Sequence, residues 1–164
     1  MRQLEISPFN ESYLDEGTHF VMMHLENIPP HLGILIDGSY FSISTRNKAI
    51  SIPVEKVLGK IFRGRISTIF VEVQKIGEKK NMIDCLSNMP LVSEHGTNCI
   101  DPIIEFAEVN GIIIDNQKHI HDFLEKVTII RAMAMFGEDF VHDEKYVIPT
   151  YTKEEIETLI RKNL

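Results

Sequence analysis

Pro29-Pro30-His31-Leu32-Gly33-Ile34-Leu35-Ile36-Asp37-Gly38-Ser39-Tyr40-Phe41-Ser42-Ile43-Ser44 is the stretch whose reading decides the fold. Residues 32–36 are almost continuously apolar, the pattern of a short strand covered on both faces. Asp37-Gly38 supplies the two residues that a tight hairpin turn needs. The following residues alternate apolar and polar, so a second strand with a half-polar face is predicted. Two prolines stiffen the entry and place His31 at the mouth of the first strand. Alternation puts His31, Gly33 and Leu35 on one face. Gly33 leaves room beside the imidazole, and the hairpin partner brings Ser42 or Ser44 across from it.

Working outward, residues 18–26 and 67–74 read as further strands and 48–51 as a short one. Pro53 opens a helix through residue 62, where proline suits the first turn. Later segments read as helices: 79–89, ended by Pro90; 101–109, closing near Asn110-Gly111; and a long amphipathic helix over 117–136. In the last of these Ile120, Phe123, Leu124, Val127, Ile130 and Ala134 share a side, and Gly137 is the stop. Thr152 with Glu155 forms a capping box for a final helix to about residue 162. The expected fold class is α+β: a small antiparallel sheet packed by helices, strands first and helices after. One domain is expected over 1–164, with a core at 18–110 and a helical extension at 111–164.

A chain of 164 residues can bury a sizeable core without staples. Its net charge of −7 argues against a general nucleic-acid binder, which needs a concentrated basic face. Two cysteines are too few for a disulfide scaffold and form no CxxC. No signal peptide or apolar run of the ~18 residues needed to span a bilayer is visible. A cytoplasmic location is therefore expected, although leaderless secretion leaves no mark in a sequence.

The second informative segment is Gly96-Thr97-Asn98-Cys99-Ile100-Asp101-Pro102, a cysteine where a helix is about to begin. Asp101 reads as the cap with Pro102 as the first helical residue, or Asn98 is the cap and Cys99 lies within the first turn. A helix N-terminus and a nearby imidazolium both lower a thiol's pKa, so Cys99 and His31 read as a nucleophile and its base. The backbone N–H groups of Cys99 and Ile100 are candidate oxyanion donors. Cys85 lies amid Met82, Ile83 and Leu86 and reads as core, whereas His95 is an alternative base. His119 and His121 are two apart on a helix, which is poor metal geometry.

The order His31-Leu-Gly-Ile-Leu-Ile-Asp-Gly, a Pro53-Val-Glu-Lys-Val-Leu helix, the strand Ile69-Phe-Val-Glu-Val and then Asn98-Cys99 resembles the circularly permuted papain-like superfamily. That group includes permuted cell-wall peptidase relatives and lecithin-retinol acyltransferase-like proteins. The resemblance covers residues 18 to 110 and implies Cys99 as nucleophile and His31 as base. The family's third polar residue is commonly histidine, an acid or an amide. Here that place holds Ser42, with Ser44 next, while Glu26, Glu72 or Asp101 stand elsewhere as substitutes. The implied activity is a cysteine hydrolase or acyltransferase acting on an amide, ester or thioester, without metal or organic cofactor. Its substrate would be a peptide, an acyl lipid or a modified protein. The alternative is the same fold without turnover, used as a protein- or ligand-binding module through the C-terminal helices.

Overall fold

The computed structural model describes residues 2–114 and 119–164. Among them nine strands form one sheet: β1 (Gln3–Ser7), β2 (Thr18–Met23), β3 (His31–Ile36), β4 (Ser39–Ile43), β5 (Lys48–Pro53), β6 (Thr68–Val73), β7 (Ile129–Met135), β8 (Val141–His142) and β9 (Lys145–Val147). Their order is β5-β4-β3-β2-β6-β7-β1-β9-β8. The helices are α1 (Val54–Gly64), α2 (Lys79–Ser87), α3 (Asp101–Val109), α4 (Ile120–Glu125) and α5 (Lys153–Asn163). The fold class is α+β.

The hairpin forms as its sequence demands. Asp37 and Gly38 take φ of 46° and 76°, and a two-residue turn of this kind needs positive φ at both central positions. Gly33 then pairs with Ser42, and Leu35 with Tyr40. Every other pairing is antiparallel except β1 with β7, which is parallel.

Two apolar clusters sandwich the sheet. Leu32, Ile34, Ile36, Phe41 and Ile43 face the cluster that contains α2, α3 and α4. Leu35, Tyr40, Val21 and Phe70 face the other, closed by α1 through Val54, Val57 and Ile61. All six residues of β2 are buried, which explains why that strand reads as unbroken apolar sequence rather than an alternation.

The chain's second half departs from expectation. The helix predicted over 117–136 is instead α4, a break at 126–128, and β7; its first two positions, 117 and 118, lie outside the described residues. Residues 129–135 alternate across the sheet, Ala132 and Met133 packing on opposite faces. β7 is held by β6 on one side and β1 on the other. The segment after residue 110 is thus no helical appendage, because it supplies three strands. The sheet is correspondingly larger than the small one foreseen. No helix of the described residues is long and apolar enough to cross a membrane.

Candidate active site

A cavity of about 620 Å³ opens at the end of the sheet where β3 begins and β4 ends. His31, Tyr40, Ser42, Asn98 and Cys99 all line it. His31 arrives on β3, directly after Pro29-Pro30, and the Ile28–Pro29 bond is cis. Cys99 arrives from the opposite layer, in the turn that leads into α3. Beyond the last β3–β4 pair, Gly33 with Ser42, the Leu32 amide is available to a new partner. It donates toward the Cys99 sulfur. The nucleophile candidate therefore touches the residue next to the base candidate.

Of the two candidate caps, Asn98 closes the turn before α3, and Ile100 is the residue that immediately precedes the helix. The Asn98 Oδ1 accepts from the Ile100 N–H at 3.0 Å, and the Asp101 carboxylate accepts from the Asn98 N–H at 2.8 Å. This is the reciprocal logic of a capping box set three residues upstream of Asp101. It removes Ile100 from the oxyanion site, since its N–H is already donated. The Cys99 amide faces its own sulfur.

Neither reactive group is charged at neutral pH. Burial pushes the Cys99 thiol up to about 11, with Asp101 adding to the rise and the Leu32 and Cys99 amides opposing it. The sequence-based expectation of a thiolate poised by a helix dipole and an imidazolium is therefore overturned. Desolvation outweighs the two amides, and no cation is among the causes of the shift. Burial likewise holds the His31 imidazole down to about 4, helped by the positive charges of His24 and Lys60. His31 is half-buried as a residue, but its ring is enclosed by the cavity wall.

The third residue also differs from expectation. Ser42 shares the cavity with His31, yet its hydroxyl donates to the Tyr40 oxygen rather than to the imidazole. Ser44 is engaged in the β4–β5 turn, accepting from the Asn47 N–H at 3.1 Å. Glu26 accepts from Ser67 at 2.7 Å, and Glu72 holds Arg131 at 2.5 Å. No hydrogen bond reaches the His31 ring among the described residues. His95 stands on the surface beside Glu94 and Glu157 and outside the cavity, so it is not the base.

Comparison with protein-family models, with curated proteins and with solved structures returned no match. The site rests on its own geometry.

Tyr40 is a cavity residue that sequence reading missed. Its phenol lies across Gly33 so closely that a Cβ there would collide with the ring and hydroxyl. The space beside Gly33 thus belongs to Tyr40. Burial raises the phenol to about 12, so it stays protonated and able to donate. A glycine facing an aromatic residue across a tight hairpin was the available signal.

Proposed function

We propose that the protein is a cysteine-dependent hydrolase or acyltransferase that acts on an amide, ester or thioester, on a fold of the permuted papain-like kind. The observation that carries this reading is the convergence of Cys99 and His31, from opposite layers of the sheet, on one cavity. Two unbridged cysteines fit a reducing compartment such as the cytoplasm. Peptides, acyl lipids and acylated or modified proteins fall within this substrate range.

Because both groups rest neutral, the thiolate is made during attack rather than beforehand. The Cys99 sulfur bonds to the carbonyl carbon while its proton passes to His31, a general-base step of the kind worth roughly 10²–10⁴ in rate. Negative charge on the carbonyl oxygen is met by the Tyr40 hydroxyl, which Ser42 orients by donating to the phenol oxygen, because the Cys99 N–H is already turned to its own sulfur. The carbon–leaving-group bond then breaks, and His31 returns its proton to the leaving atom. Water or an acceptor alcohol or amine, deprotonated by His31, releases the acyl group and restores the thiol.

One observation favours a second reading, a binding module without turnover: the thiol is pushed up and the imidazole held down. Mixing the protein with p-nitrophenyl esters and small thioesters decides between them. The hydrolase reading expects a burst equal to the protein concentration and an acyl mass on Cys99, absent in Cys99→Ala. A linear trace with no adduct leaves the binding module.

A further inference from the structure

The lysine and arginine side chains that line the Cys99 cavity are not balanced by any carboxylate in its lining among the described residues. Lys56 and Lys60 enter from α1 and Arg46 from the β4–β5 turn, with His24 at the rim. No aspartate or glutamate lines the cavity among the described residues. This is notable in a chain with 24 acidic and 17 basic residues. Several cations elsewhere are paired: Lys75 with Glu78 at 2.6 Å, Arg131 with Glu72 at 2.5 Å, Arg161 with Glu94 at 3.0 Å. Lys56, Lys60 and Arg46 have no such ion pair among the described residues.

Lys56 and Lys60 are four apart on one helix and project from the same face. Two carboxylates adjacent in sequence to lining residues are engaged elsewhere, Glu26 by Ser67 and His24, and Asp101 by the Asn98 amide. Facing the cations is an apolar wall, Ile156, Leu159 and Ile160 of α5. Such a cleft, cationic on one side and greasy on the other, focuses field onto a partly desolvated anion.

We propose that the substrate processed at Cys99 is an amphipathic anion, whose carboxylate or phosphate docks on Lys56, Lys60 and Arg46 while its aliphatic part lies on α5. The proposal rests on the nucleophile reading above. It also gives the bound substrate a second task. The positive charge of Lys60 helps hold the imidazole in its neutral form. An anion seated on Lys60 offsets that contribution, while burial, the larger cause, stays in place.

The test alkylates Cys99 with iodoacetate and iodoacetamide, reagents of similar size that differ in charge, with glutathione as the reference thiol. The iodoacetate-to-iodoacetamide rate ratio at Cys99 should exceed the glutathione ratio about tenfold at low salt and shrink as salt is added. Lys56→Gln with Lys60→Gln should abolish that excess, and Lys60→Arg should keep it; these side chains are exposed, so folding is not at stake. Octanoate and octyl phosphate should protect Cys99 from iodoacetamide, and octanol should not. The stronger of the two protectors identifies the head group. A ratio equal to that of glutathione and indifferent to both lysines overturns the anion proposal while leaving the nucleophile in place. Failure of both reagents to label Cys99 in the folded protein overturns the nucleophile reading, and this proposal with it.

Discussion

The two cysteines make an instructive pair. Both thiols are pushed up to about 11, and burial is the first cause in each. Cys85 sits inside α2 in the main apolar cluster, where Glu105 and Asp84 add to the rise. Cys99 has two amides aimed at its sulfur, a histidine in the same cavity and open space in front of it. Ionisation in the resting protein therefore does not separate Cys85 from Cys99; access to a cavity and a histidine in that cavity do.

The most severe way to break the contrast is to remove the acceptor. His31→Ala should slow acyl-enzyme formation at Cys99 by roughly 10²–10⁴, whereas Cys85→Ala should leave it unchanged. Stopped-flow bursts on the two variants check this. A preformed ion pair would give a different pH signature from the neutral pair described above. Alkylation of native Cys99 should climb about tenfold per pH unit, close to 100-fold from pH 7 to 9, without the plateau of an ion pair. Pseudo-first-order rates mapped by mass give the profile, and a flat rate below pH 8 contradicts it.

Gly33→Ala sharpens the picture from the side of Tyr40. The new methyl collides with the phenol, and we expect a loss of about 1–3 kcal/mol in urea denaturation together with reduced turnover. Stability against acid follows from the imidazoles. His31, held down to about 4, and buried His19, also held down, favour the neutral form in the fold. An unfolded chain binds those protons near pH 6.5, so their contribution is complete above that value and is lost as pH falls toward 4. Thermal scans should show His31→Gln flattening the slope in this window by an amount of order 1–3 kcal/mol. The smallest effect belongs to α5: Thr152→Ala removes a cap that accepts from the Glu155 N–H at 3.2 Å and should cost about 1 kcal/mol of local stability by hydrogen exchange.

What sequence could reveal was local chemistry. The Asp37-Gly38 turn, the 101–109 helix and the Thr152 box depend on residues within a few positions of each other, and each forms. The 117–136 reading failed because Ala132-Met133-Ala134-Met135 is good helix sequence; sandwiching by β6 and β1, both distant in the chain, overrides that propensity. β1 escaped notice since Leu4 and Ile6 alone make a faint alternation. That His31 and Cys99 line one cavity is in keeping with their order and context in the sequence. The positions of Tyr40 and Ser42 and the engaged Ile100 amide were not legible, because they depend on strand register and on one amide already being donated.

The parallel seam between β1 and β7 has a bearing on how the molecule comes into being. β1 leaves the ribosome well before β7 and β9, the two strands it lies between, and β9 ends only at Val147. At usual elongation rates β1 waits on the order of ten seconds for its neighbours. Through that interval both of its edges are unsatisfied. A nascent chain of this design thus relies on the short, charge-bearing sequence Gln3-Leu4-Glu5-Ile6-Ser7 to stay unpaired until its proper neighbours arrive.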